Sequence, residues 1–407
     1  MPEAAPVVAA FPEASGTAAA SVRVRSGALV AVVVVVLGLN LRTVFSSLAA
    51  VLPEATGHSD IPSGLVTVLS TVPVLLLGVC APLAPPLARR LGLERSLLAV
   101  AVLLTAGLLV RGDGLPVPML VGTAACGAAI AIGNVLLPAL VKRDFPHRAG
   151  LMSGVCTASM CASAALAAAL THPVYDATGS WRLALLVWAL PALLAALLVL
   201  PLVRWTVVPA RSRARSLPSL WRSATARHAT TFMVLQAMSS FSVFGWLAPI
   251  LRSRGIDGGT AGLLAAGCIL VQVVGCLAAP ALAGRCRDQR LFNAGAALLT
   301  GGSFVLCIVG PVSLVGLWVV LLGLGQGSLT ALALALIVFR TRDSGTAARL
   351  SGMMQGVGYG VGSSGTLLVG LVHTSTGSFG GAAILFATTG ALGAVFGYLA
   401  GRSRPVG

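Results

Sequence analysis

Long apolar stretches separated by short basic segments recur along the whole chain. The first reads "ALVAVVVVVLGLNLRTVFSSLAAVL" over residues 28–52 and is broken only by Asn40, Arg42, Thr43 and two serines. A helix that crosses a bilayer needs about 20 predominantly apolar residues. The pattern predicts twelve such helices, near residues 27–52, 63–88, 96–111, 116–141, 150–172, 182–203, 230–251, 260–284, 291–311, 313–339, 348–372 and 379–401. Pro73, Pro138, Gly358 and Gly362 fall inside these spans. Neighbouring helices can satisfy the backbone groups that such residues free. The fold class expected is therefore an all-α membrane protein.

Composition supports lipid as the solvent. Of the 407 residues, 57% are hydrophobic and only 9% charged, against roughly 25% charged in soluble domains. The eight cysteines form no CxxC pair with metal-ligand spacing. Most sit in apolar stretches, where a thiol behaves as a small hydrophobe. No metal quartet, nucleotide fingerprint or clustered Ser/His/Asp set appears, so neither an enzyme nor a cofactor is expected.

The net charge of +16 is a matter of placement. With the N-terminus set inside, twenty-two of the twenty-seven cations fall in inner segments, four (Arg111, Arg182, Arg252, Arg254) fall outside, and Arg42 lies within the membrane. Such asymmetry is the positive-inside signal. It accounts for the basic charge through anionic lipid rather than nucleic acid. Both termini are expected in the cytoplasm of a bacterial inner (plasma) membrane. Residues 1–26, rich in Ala, Pro and Glu, read as a disordered tail. "SVRVR" before the first span imitates a secretory leader, but eleven spans follow and an uncleaved anchor is the better reading.

The chain also repeats itself. "SG" at 153–154 recurs at 351–352 and "TGSW" at 178–181 recurs as "TGSF" at 376–379, both at an offset of 198. "PLARR" at 86–90 matches "ALAGR" at 281–285, and "KRD" at 142–144 matches "TRD" at 341–343. Two parallel six-helix bundles follow, over 27–203 and 230–401, joined by a basic linker at 204–229 and ending in a short tail at 402–407.

Twelve helices in two parallel halves resemble the major facilitator superfamily. That resemblance implies a substrate site between the halves near the midplane and access that alternates by rocking. The superfamily's loop motif is degenerate here: "APPLARRLGLER" at 84–95 lacks its aspartate. "GLNLRTVFSSLAAVLPE" (38–54), "GNVLLPALVKRDFPHRAGLMSG" (133–154) and "GSWRLAL" (179–185) resemble more narrowly the cyanate-permease and nitroimidazole-transporter family.

Polar residues deep in the spans are few: Asn40, Arg42, Asn134, Gln236, Gln272, Gln326 and Gln355. They avoid spans 3, 6, 9 and 12, which in the fold this chain resembles face lipid. A charge at the centre of a membrane helix costs about 2.5–3.5 kcal/mol on insertion scales and is tolerated beside water or a ligand. All eleven acids fall in the tail, in loops or at helix ends, so Arg42 has no evident carboxylate at its depth. Arg42, Phe45, Ser46 and Ala49 share a face by helical spacing, as do Gln355 with Tyr359 and Gln236 with Ser240. Arg42, Ser46, Asn134, Gln236, Gln355 and Tyr359 are the expected substrate site, with Asn40, Gln272 and Gln326 as a second tier. Each amide has a structural alternative as interhelical glue, typically worth about 0.6 kcal/mol.

Asp144 and Asp343 are repeat mates at inner helix ends. Under the fold implied by the resemblance, Arg89, Arg90 and Arg148 lie near the first, and Arg285 and Arg349 near the second. Ion pairs among them are expected to gate the inner side. The function expected is a secondary transporter for a small anion or polar heteroaromatic compound, working as a monomer. An exporter of drugs or metabolites is the alternative, and a non-transporting receptor or scaffold a weaker one. Coupling to protons stays open, since His172 and His373 near outer helix ends are the candidates to titrate.

Overall fold

The computed structural model describes residues 27–51, 63–205, 219–403 and 406. The tail at 1–26 and parts of the linker and of the C-terminal tail lie outside the described residues. Among those described, sixteen α-helices carry the chain through twelve passes. In the first half, α1 (Gly27–Gly38) and α2 (Thr43–Ala50) form pass 1, α3 (Ser63–Cys80) and α4 (Ala84–Leu91) pass 2, α5 (Leu93–Arg111) pass 3, α6 (Pro116–Asp144) pass 4, and α7 (Ala149–Thr178) pass 5. Pass 6 is α8 (Trp181–Leu186) followed by α9 (Ala189–Val199). The second half runs through α10 (Ala224–Ser253), α11 (Gly258–Ala283), α12 (Arg290–Val309) and α13 (Val315–Phe339) as passes 7 to 10. Pass 11 is α14 (Ser344–Gly362) with α15 (Ser364–Thr376), and pass 12 is α16 (Gly380–Ala400).

Eleven helical stretches among the described residues are long and apolar enough to cross a membrane. The remaining pass is the eleventh, where glycine, serine, Gln355 and Tyr359 dilute the hydropathy and Ser363 separates α14 from α15. Exposed leucines, valines and isoleucines cover the outer faces, among them Leu190, Leu291 and Ile384. In lipid these side chains face a solvent as apolar as themselves.

The repeat is visible in local backbone geometry. α7 and α15 both stop at a left-handed glycine, Gly179 and Gly377, each with φ 67°. These are the glycines of "TGSW" and "TGSF". A residue without Cβ adopts this conformation freely and ends a helix there.

Pass 1 departs from the continuous helix expected over 27–52. It breaks between Gly38 and Thr43, close to the depth of Arg42. Local partners occupy several of the polar groups around this break. Asn40 Nδ2 donates to the Val36 carbonyl at 2.7 Å and to the Pro191 carbonyl of pass 6 at 3.1 Å. Thr43 Oγ1 donates to the Asn40 carbonyl at 2.9 Å, and the Arg42 amide donates to Ser163 Oγ at 3.2 Å. A broken helix survives at membrane depth only where protein or water supplies such partners.

The halves meet along two helix pairings: α7 of pass 5 packs on α11 and α13, and α14 of pass 11 packs on α3 and α6. Small residues allow the approach. A Cβ on Gly150 would sit 2.4 Å from the Pro280 carbonyl oxygen, closer than any real contact, so this seam requires glycine.

Candidate functional site

Between the halves lies a cavity of about 350 Å³. Pass 1 contributes Leu41, Arg42, Phe45 and Ser46; passes 2, 4 and 5 contribute Val74, Leu77, Ile130, Asn134 and Ala164. Pass 7 contributes Gln236, Ala237, Ser240, Phe241 and Phe244, and pass 11 contributes Tyr359. Five of the six expected site residues thus line one space: Arg42, Ser46, Asn134, Gln236 and Tyr359.

Arg42 is half-buried at the start of α2, with its guanidinium carbon 5.9 Å from the centroid of the Phe244 ring. Among the described residues no carboxylate pairs with it. Tyr359 meets Phe241 edge to face at 6.1 Å between ring centroids. Four aromatic and six aliphatic side chains make the walls, with one cation and four neutral polar residues among them.

Gln355 does not line the cavity. Its Nε2 donates to the Asn134 carbonyl and to Ser351 Oγ, both at 2.8 Å, and the side chain is fully buried. Gln355 and Tyr359 do lie one turn apart, but the deeper of the two is spent on a contact between the halves. Asn40 likewise stays out of the cavity lining, and its Nδ2 is bonded at the break and to pass 6. Gln326 stands behind the cavity wall, where its Nε2 donates to Ser240 Oγ and, at 3.3 Å, to Thr330 Oγ1. Gln236 Nε2 donates to the same two hydroxyls at 2.7 Å each. Gln272 is buried, with its backbone pressed against Gly327, and it too stays out of the cavity.

Two features went unread in the sequence. Phe241 and Phe244 look like any aromatic in an apolar helix, although their spacing from Gln236 and Ser240 places them on a similar face. Arg111, counted above as an outer loop cation, is fully buried. Its Nη1 donates to the Val44 carbonyl and its Nη2 to Ser47 Oγ, each at 2.9 Å. The chain therefore holds a second buried arginine, whose donors bond the protein itself.

At the basic-loop end, Asp144 accepts a bidentate pair from Arg143 at 2.9 Å, and Arg143 reaches Glu94 at 2.8 Å. Glu94, Arg143 and Asp144 themselves all belong to the first half. Asp343 caps α14, accepting from the Thr346 amide and hydroxyl at 2.8 Å each. Burial pushes its carboxyl up, but the Thr346 hydrogen bonds and the charge of Arg349 outweigh that and hold it below the usual carboxylate range. Arg89, Arg90, Arg148 and Arg285 are exposed around this end, and Arg349 is half-buried. A direct bridge between the halves comes from a residue outside the expected gate: Lys142 Nζ donates to the Val338 carbonyl at 2.9 Å.

Arg340 anchors the same end of the second half. It donates to the carbonyls of Ala400 (3.0 Å) and Gly401 (2.7 Å) and to Gln289 Oε1, and burial pushes its pKa down to about 10.

Comparison with known proteins agrees with this architecture. Residues 30–363 match the family profile described as the Major Facilitator Superfamily. The chain is 36% identical over 348 residues to an uncharacterized transporter, YycB, of Bacillus subtilis (strain 168), covering 85% of this chain and 87% of that protein. It is 34% identical over 376 residues to the 2-nitroimidazole transporter of Escherichia coli (strain K12), covering 92% and 95%. It is 27% identical over 354 residues to the cyanate transport protein CynX of the same organism, covering 85% and 90%. Among solved structures, the proton:xylose symporter XylE superposes with a TM-score of 0.75 at 11% identity, over 93% of this chain and 97% of that one.

Proposed function

The chain belongs to the Major Facilitator Superfamily, and on that premise we propose that it moves a small planar anion or polar heteroaromatic compound across the membrane by alternating access. It is a membrane transporter rather than an enzyme. Arg42 carries the reading: a half-buried guanidinium, unpaired with any carboxylate among the described residues, opens into the cavity between the halves. A buried cation of this kind is relieved by an anion or by water. The Phe244 and Phe241 rings favour a flat ligand, since π-faces stack on aromatic and guanidinium planes. A cavity of about 350 Å³ suits a compact solute. The relatives named for 2-nitroimidazole and cyanate transport agree with that size class.

The test is a thermal-shift screen of the purified chain against cyanate, 2-nitroimidazole and small aromatic carboxylates, followed by uptake of any stabilising compound into proteoliposomes. A hit that also accumulates supports transport. Failure of every small anion and heteroaromatic to shift melting sinks the substrate reading.

The charge count supports placing the basic-loop end in the cytoplasm. A reporter fused after residue 404 should be active only in the cytoplasm; periplasmic activity would reverse the orientation.

The contacts between the halves at Lys142, Gln355, Gly150 and Gly154 lie at or toward this end. They support a conformation closed on the basic side. Lys142 acts as part of the gate by capping the carbonyl end of pass 10, where a cation also meets the negative end of the helix dipole. Asp144 and Asp343 contribute by fixing Arg143 and the start of α14. A charged hydrogen bond of about 1.5 kcal/mol corresponds to about tenfold in the open-to-closed ratio. Lys142→Gln should therefore speed amide hydrogen exchange in 84–91 and 344–352 about tenfold. Unchanged exchange would remove Lys142 from the gate.

A further inference from the structure

Cys161 on α7 and Cys276 on α11 come from opposite halves, and their sulfurs stand 3.6 Å apart. They are 1% and 0% exposed. The pair is enclosed by the small side chains of Ala158 and Ala331. Close approach of the two helices brings them together: a Cβ on Gly154 would lie 2.8 Å from the Cys276 carbonyl oxygen. Nothing bulky separates the thiols, and the Cys276 thiol also reaches the Gly327 carbonyl at 3.3 Å. A disulfide needs its sulfurs at about 2.05 Å, so closure asks each side chain to move by less than about 1 Å.

We propose that Cys161 and Cys276 form a redox modification site, where a disulfide joins the two halves and locks the chain closed at its basic-loop end. The oxidant is hydrogen peroxide, small and uncharged and so able to enter the protein or the bilayer. One thiol attacks the peroxide, giving a sulfenic acid and one water. The second sulfur then displaces hydroxide from the sulfenic acid, forming the S–S bond and releasing a second water. Two electrons pass from the thiol pair to the peroxide, and both thiol protons leave in the waters. The locking effect rests on the alternating-access reading, because opening this end must separate α7 from α11. The cross-link itself does not rest on that reading.

The experiment treats the purified full chain with hydrogen peroxide, blocks remaining thiols and maps peptides by mass spectrometry. Exposed Cys286 serves as the internal control for reagent access. The expected result is a Cys161–Cys276 linked peptide in most chains, lost on adding dithiothreitol. Hydrogen exchange in 84–91 and 344–352 should slow at least tenfold in the oxidised chain. Cys161→Ser and Cys276→Ala, each made separately, should abolish both effects. Recovery of Cys161 and Cys276 as separate thiols or sulfinic acids, while Cys286 is oxidised, overturns the site. A linked peptide with unchanged exchange overturns the lock. Neither arm needs a transported substrate, so a failed uptake screen leaves this result readable on its own.

Discussion

An Arg42→Gln chain should bind an anionic ligand about tenfold to a hundredfold more weakly than the parent. Without ligand it should melt at the same temperature or higher. Both halves of this expectation follow from one observation. The guanidinium opens into the cavity, and among the described residues the Phe244 ring rather than a carboxylate stands against it. Hydrogen bonds to a charged group contribute about 1.5–3 kcal/mol, and a carboxylate or similar planar anion accepts two of them from a guanidinium. Glutamine offers one donor group and no charge. Arg42→Lys keeps the charge but loses the planar fork, so its affinity should fall between the two. Neutral heteroaromatics should lose less than anions in both variants. The measurement is calorimetric affinity for the first anionic hit of the ligand screen. Equal affinity in Arg42→Gln and parent would show that Arg42 does not hold the ligand.

Much of the architecture was legible because it is written in the period and spacing of apolar runs. The "TGSW" and "TGSF" repeat mates both turn out to be left-handed glycine caps, so a sequence echo corresponded to a backbone requirement. The helix breaks were not legible. A run of hydrophobic residues has the same hydropathy whether it is one helix or two. The break at 39–42 depends on Asn40 reaching Pro191, about 150 positions away. Ser363 gave no warning either, since serine also sits inside unbroken membrane helices.

The site divided along similar lines. Charge singled out Arg42, and helical spacing carried Ser46 with it to the cavity. Spacing could not separate a ligand-facing amide from a bridging one. Gln236 and Gln355 look alike in the sequence, each with a hydrogen-bonding partner one turn away. Gln236 lines the cavity, whereas Gln355 is bound to the Asn134 carbonyl of the other half. The difference depends on how deep each sits relative to the seam, which is a tertiary property.

Arg111 shows the reverse error, and its substitution should have the largest effect on stability. Charge counting set it among the outside cations because it ends its predicted span. The fold turns that helix end against α2, where the guanidinium is fully buried and donates to the Val44 carbonyl and Ser47 Oγ. Val44 directly follows the break in pass 1, so Arg111 ties the segment that carries Arg42 to pass 3. Arg111→Met keeps much of the side-chain volume but supplies no donor. The Ser47 hydroxyl retains only a long contact of 3.5 Å to the Val44 carbonyl. Hydrogen bonds from a charged donor are worth about 1.5–3 kcal/mol. Removing a buried charge recovers part of its desolvation cost, so the net expected loss is about 2 kcal/mol. The two arginines should therefore respond in opposite directions: Arg42→Gln holds or raises the melting temperature, and Arg111→Met lowers it by several degrees. Thermal unfolding of both variants in the same detergent makes the comparison. If Arg111→Met melts with the parent, the bonds to Val44 and Ser47 are not what holds the broken helix in place, and the position of Arg42 must be fixed by Asn40 and Ser163 instead.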